Sequence, residues 1–108
     1  MDKSAVIDRV KSFAEIVRKN FPVQKIVLFG SQIKGTATAD SDIDVAIIFN
    51  ELEDDYLNAS TKLFHLRRNI DARIEPLLFE AGHDPSGFLA EILRTGEVIW
   101  EAGEGKTN

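Results

Sequence analysis

The chain has 108 residues, 44% of them hydrophobic and 29% charged, with 13 basic against 18 acidic side chains and a net charge of -5. That length predicts one domain with a single core, and the composition is that of an ordinary soluble globular protein. The lack of cysteine excludes disulfides, zinc–thiolate centres and cysteine nucleophiles, and the two histidines, His65 and His83, are too few and too far apart to suggest a zinc site.

Residues 3–20 read as an amphipathic helix with Val6, Val10, Phe13 and Val17 at helical spacing, ended by Pro22. Charges run through this segment, unlike a signal peptide, and no stretch approaches the ~20 apolar residues needed to span a bilayer. The expected compartment is therefore the cytoplasm, with no membrane partner. Lys25–Phe29 is a short apolar strand that Gly30 stops. Residues 31–41 are small and polar and predict a loop or at most one helical turn. Ile43–Phe49 is a second strand, apolar on both faces in its second half and so expected at the centre of a sheet.

An acidic connection, Asn50–Asp55, leads to a second helix over residues 55–67, with Tyr56, Leu57, Ser60, Leu63 and Phe64 expected inward. Ile70–Phe79 reads as a third strand with Ile70, Ala72 and Ile74 on one face and Asp71, Arg73 and Glu75 on the other. Pro76 places that strand at an edge or at a change of pairing. Asp84-Pro85-Ser86 opens a last helix with Phe88, Leu89, Ile92 and Leu93 inward and Gly96 past its end. Val98-Ile99-Trp100 is a short final strand, and residues 102–108 are expected to form a flexible tail after a domain spanning 1–101. The predicted class is α/β (α+β), a small mixed sheet flanked by helices.

The chemistry concentrates in FGSQIKGTATADSDIDVAII, residues 29–48. A glycine at a strand end lets the backbone approach a phosphate, and Ser31 offers a hydroxyl and backbone N–H groups to phosphate oxygens. Gly30 and Ser31 are therefore the candidate nucleotide-binding residues. Alternate residues of a strand share a face, so Asp42 and Asp44 point together while Ile43 enters the core. Two carboxylates that close repel unless a cation lies between them. Magnesium suits the place, because it takes one or two carboxylates and completes its octahedron with phosphate oxygens and water.

A third carboxylate makes a two-metal centre, in which one ion steadies the triphosphate and the other activates the attacking hydroxyl. Glu75 and Asp71 both qualify. Glu75 is preferred because Ile74 and Leu77-Leu78 place it where the strand is better buried. The candidate catalytic and metal-holding set is thus Asp42, Asp44 and Glu75, with Mg2+ as cofactor. Scattered basic residues and an acidic balance count against a direct nucleic-acid partner, but not against a metal-bridged triphosphate.

Gly-Ser, a spacer, then Asp-x-Asp opening an apolar strand resembles the signature of the DNA polymerase beta-like nucleotidyltransferase superfamily. The form GSQIKGTATADSDIDVAII in so short a chain is similar to the minimal nucleotidyltransferases (MNT), the antitoxin members of HEPN/MNT pairs. The likeness covers nearly the whole chain. Members often carry an arginine where this chain has Lys34, which keeps the charge and loses the planar fork.

The resemblance implies transfer of a nucleoside monophosphate, most simply AMP from ATP, to a hydroxyl, with magnesium and release of pyrophosphate. The sequence leaves no room for an acceptor-presenting domain, so the acceptor is expected on another chain, for MNT antitoxins a tyrosine of the HEPN ribonuclease toxin. An inactive antitoxin that neutralises its partner by occlusion is the alternative. Homodimer and hetero-oligomer both remain open.

Overall fold

A computed structural model of the chain describes residues 3–38 and 40–103. The elements are α1 (Lys3–Asn20), β1 (Val23–Phe29), α2 (Ser31–Lys34), β2 (Ile43–Phe49), α3 (Tyr56–Leu66), β3 (Ile74–Glu80), α4 (Phe88–Thr95) and β4 (Glu97–Glu101). The four strands form one sheet in the order β3-β2-β1-β4. β1 runs antiparallel to β2 and β4, and β2 runs parallel to β3. The expected small mixed sheet flanked by helices is the fold of this chain, with the apolar β2 at the centre and the proline-bearing β3 at an edge. Among the described residues no helix is long and apolar enough to cross a membrane.

The two faces of the sheet are covered unequally. On one face, Val6, Val10, Phe13 and Val17 of α1 and Ala59 and Leu63 of α3 pack on Ile26, Leu28, Ile43, Val45 and Ile47 in the main core. On the other, Leu89 and Ile92 of α4 cover Val27, Phe29, Ala46 and Ile48. A single helix of eight residues cannot roof a four-stranded sheet, so part of this second face stays open.

Three expectations change. α3 buries Leu63 as expected, with Ala59 beside it, but leaves Tyr56 and Leu57 exposed, the latter 72%. The Asp55 carboxylate, accepting from the N–H groups of Leu57 and Asn58 at 3.0 and 3.4 Å, caps the helix start and sets that rotation. β3 begins at Ile74, not Ile70, because residues 70–73 form a turn. Arg67 Nη1 donates to the carbonyls of Ala72 and Ile74 at 2.8 and 2.7 Å and holds that turn closed.

In α4 only Leu89 and Ile92 are buried, while Phe88 and Leu93 are exposed. Asp84 reaches forward to cap this helix, accepting from the N–H groups of Leu89 and Ala90, both at 2.9 Å. Trp100 in β4 is half-buried against the main core, with the Arg18 guanidinium 5.9 Å over its ring. Of the expected tail, the Ala102 N–H donates to the Gln24 carbonyl at 2.8 Å, and residues 104–108 lie outside the described residues.

Candidate active site

Gly30 ends β1 at φ 83° and ψ -148°, a backbone combination that belongs almost wholly to glycine. Space is the second reason for glycine there. A Cβ would run into the Asp44 carboxylate, which leans from β2 into the gap the missing side chain leaves. Register explains the meeting. Phe29 is the cross-strand partner of Asp44 in the β1–β2 pair, so the turn after Phe29 starts beside Asp44.

Glu75 is the partner of Asp44 on the other side, in the parallel β2–β3 pair. Paired residues share a face. Phe29, Asp44 and Glu75 therefore stand on the face that α4 only partly covers. Asp42, just before β2, is exposed, and Asp44 is half-buried. Burial first, then the charges of Glu75 and Asp42, raise the Asp44 carboxyl above its ordinary pKa. The charges of Glu75 and Asp42 thus both reach Asp44 at one end of the sheet.

The expected helical turn is α2. The N–H groups of Ile33 and Lys34 bond back to the Gly30 carbonyl, both at 3.0 Å, and those of Gly35 and Thr36 bond to the Ser31 carbonyl at 3.1 and 3.2 Å. Gly30 has no side chain to cap the turn. The first amides of such a turn lack intrahelical acceptors and are what a phosphate oxygen takes, together with the Ser31 hydroxyl. Lys34 is exposed at the last position of α2.

Sequence reasoning passed over Gln32 here and misplaced Phe88. Gln32 is buried, and its Nε2 donates to the Asp42 carbonyl at 3.4 Å, tying the glycine turn to the aspartate backbone. Nothing in its sequence neighbours marks a lone glutamine for burial. Phe88, expected inward, is 45% exposed; its ring meets those of Phe29 and Phe79 edge-on, both at 5.9 Å. It walls the open face beside the partner of Asp44.

Asp71 lies elsewhere. In the turn before β3, its Oδ1 accepts from the Arg73 backbone N–H and Nε at 2.9 and 3.0 Å. Its Oδ2 accepts from Arg73 Nη2 at 2.7 Å and from Arg9 Nη1 at 2.9 Å. The side chain is only 6% exposed, so this is a buried staple between α1 and the turn rather than a weak surface pair. Hydrogen bonds from Arg73, aided by the charges of Arg73 and Arg9, lower its pKa from 3.8 to about 2.

A depressed folded pKa stabilises the fold above the unfolded value, and that stability is lost as pH falls through the folded value. Asp71→Asn is therefore expected to cost about 2 kcal/mol at pH 7. The difference should shrink as pH drops below 3.8 towards about 2. Urea titrations of both proteins at neutral and acid pH measure it, and a difference that does not change with pH would contradict the staple.

The donor set of Asp42, Asp44 and Glu75 is all oxygen, the kind a hard divalent cation takes. Among the described residues no group of three or more His, Asp or Glu side chains is gathered closely enough to hold a metal ion as placed. Two grooves, of about 550 and 340 Å³, include none of Gly30, Ser31, Asp42, Asp44 and Glu75.

A family model described as polymerase beta, nucleotidyltransferase matches residues 11–104. Among solved structures, the chain resembles a protein from Sulfolobus solfataricus described as a candidate nucleotidyltransferase. The TM-score is 0.69 at 18% identity, over 95% of this chain and 86% of that one. It also resembles a toxin–antitoxin structure with AMP-PNP, with a TM-score of 0.65 at 26% identity, over 86% of this chain and 73% of that one. A third likeness is to a complex of the tri-AMPylated HEPN toxin of Shewanella oneidensis with MNT antitoxin. There the TM-score is 0.60 at 22% identity, over 92% and 72% of the two chains. No curated protein matches significantly.

Proposed function

This chain belongs to the polymerase beta nucleotidyltransferase family, and from that premise we propose that it moves AMP from ATP onto a hydroxyl of a partner protein, as the antitoxin of a HEPN-type toxin. The observation that carries this reading is the nesting of the Asp44 carboxylate in the space left by Gly30, with Glu75 beside it on the same face. A glycine turn able to take phosphate and a carboxylate able to take a cation are thereby held in contact. The toxin–antitoxin likeness with AMP-PNP, at 26% identity, supports both the nucleotide and the partner.

In the proposed reaction the Ser31 hydroxyl and the first amides of α2 hold the β- and γ-phosphates. Asp42 and Asp44 would hold the magnesium bound with the triphosphate, and Glu75 would complete a second ion's site. Bound there, magnesium neutralises charge developing on the phosphates and lowers the pKa of the attacking hydroxyl. The acceptor oxygen forms a bond to the α-phosphorus, the bond from that phosphorus to the bridging oxygen breaks, and pyrophosphate leaves. The acceptor's proton passes to solvent. Gln32 acts as a positioning residue, holding the Asp42 backbone to the phosphate turn.

α-Labelled ATP, magnesium and the partner toxin test the reading: label should appear on the toxin. Glu75→Gln is expected to lower the rate by about a hundredfold or more, on the scale of losing one electrostatic contact to the transition state. Asp71→Asn, which touches only the staple, should stay within about threefold of wild type, since surroundings away from the chemistry act through stability alone. The opposite order of effects would make Asp71 the third carboxylate. The occlusion reading stands instead if no label moves and the Asp42→Asn, Asp44→Asn double variant silences the toxin as well as wild type does.

A further inference from the structure

The outer side of α3 carries a second apolar stripe on which, among the described residues, only the Arg67 guanidinium lies, over the Phe64 ring. Ala59 and Leu63 are buried, yet Leu57 is 72% exposed, and a groove of about 550 Å³ runs along Leu57, Ser60, Thr61, Phe64 and Arg68 to Ala72. Leu57 and Phe64 are seven positions apart and so lie on one face, with the small side chains of Ser60 and Thr61 between them. The exposed leucine in line with a half-buried phenylalanine gives α3 a narrow apolar strip on its outer side.

Charge is arranged about the same stripe. Glu51, Glu53, Asp54 and Asp55, all exposed, precede the helix, whereas Lys62, His65, Arg67 and Arg68 cluster towards its end. The arrangement is palindromic about the midpoint between Ser60 and Thr61. Leu57 and Phe64 are equidistant from that point, as are Tyr56 and His65, Asp54 and Arg67, and Glu53 and Arg68. A surface whose opposite halves are complementary is what a two-fold interface requires, because each contact occurs twice.

We propose that this face of α3 binds a second copy of the chain, with the two α3 helices antiparallel and crossing at Ser60–Thr61. Leu57 then packs on Phe64 of the other copy. Glu53 faces Arg68 at both ends, and the two helix dipoles oppose. Small residues at the crossing let the axes approach to roughly 8–10 Å. Some charges are already engaged within the chain: Asp54 accepts from Asn58 Nδ2 at 3.1 and 2.9 Å and from Lys62 Nζ at 3.4 Å. Arg67 is held by two carbonyls and lies 4.7 Å over the Phe64 ring. Arg68 Nη2 lies 3.2 Å from His65 Nδ1 but has no carboxylate partner among the described residues, so Glu53 with Arg68 is the pair that sets the register. α3 is only about 16 Å long, so the contact is small and the dimer dissociates on dilution.

Sedimentation equilibrium of the wild-type protein from micromolar to millimolar concentration tests the proposal. The mass should rise from the 12.0 kDa of one chain towards twice that value, and should do so less readily at high salt. Leu57→Glu should hold the protein at the monomer mass. Glu53→Arg and Arg68→Glu should each weaken pairing by about tenfold, since each creates two like-charge contacts. The Glu53→Arg, Arg68→Glu double variant should restore it. All these positions are exposed, and circular dichroism checks that each variant is folded. A wild-type monomer throughout overturns the proposal, as does a double variant no better than its parents. So does a Leu57→Glu variant that still dimerises, or one that loses only the binding of a separate partner protein.

Discussion

Asp44→Asn is expected to lower nucleotidyl transfer by about a thousandfold and at the same time to raise the melting temperature of the magnesium-free protein. The two effects have one cause. Asp44 is half-buried beside Glu75 and Asp42, and its pKa is raised by burial and by their charges. A raised carboxyl pKa means that the ionised form is disfavoured by the fold, so the penalty is absent below the unfolded value of 3.8, grows as pH rises from there, and is fully present above the raised value. Asparagine keeps the shape and removes the charge, which relieves the fold and removes a cation's ligand. Losing one electrostatic contact to a reacting phosphate is worth about two to three orders of magnitude.

Thermal melts with and without magnesium separate the effects. Magnesium should raise the melting temperature of wild type and leave Asp44→Asn unmoved. In wild type that rise should fade as pH drops through the elevated Asp44 value, because protons compete with the ion for the carboxylate. A variant less stable than wild type without magnesium would show that Asp44 is held by attraction, and the proposed cation site would be lost.

Gly30→Ala should cost about 3 kcal/mol, from backbone strain together with collision. The new methyl would occupy the place of the Asp44 carboxylate at a φ of 83°. In a domain of this size that corresponds to a fall in melting temperature of roughly 10 °C or more. Displacing Asp44 should also abolish the magnesium-dependent rise. The Gly30→Ala, Asp44→Ala double variant should lose less than the sum of the single effects, because truncating the aspartate relieves the collision and leaves the strain. Strict additivity would mean that the glycine and the carboxylate do not touch.

Much of this architecture was legible in the residues. The α1 stripe, the apolar β2 at the sheet centre, Pro76 at an edge and the Gly-Ser turn follow from periodicity and from the special chemistry of glycine and proline. These signals are local, and local sequence carries them. The misreadings share a cause. Tyr56, Leu57 and Phe64 have helical spacing as good as that of Ala59 and Leu63, and only packing on the sheet, together with the Asp55 cap, decides which stripe turns inward.

The same holds for Asp71 and Glu75, which alternate along the sequence as if on one strand face. Arg73, Arg9 and Arg67 instead fold residues 70–73 into a turn. Arg9 reaches it from α1, a partner that no window of neighbouring residues contains. By itself the sequence determined the residue types of the candidate site and the strand ends that carry them, because a glycine turn and alternating aspartates are short-range patterns. Only the tertiary structure decided that Asp44 fills the space at Gly30, that Glu75 stands beside it and that Asp71 does not. Register between strands depends on packing across the whole sheet, which brings together residues far apart in the chain.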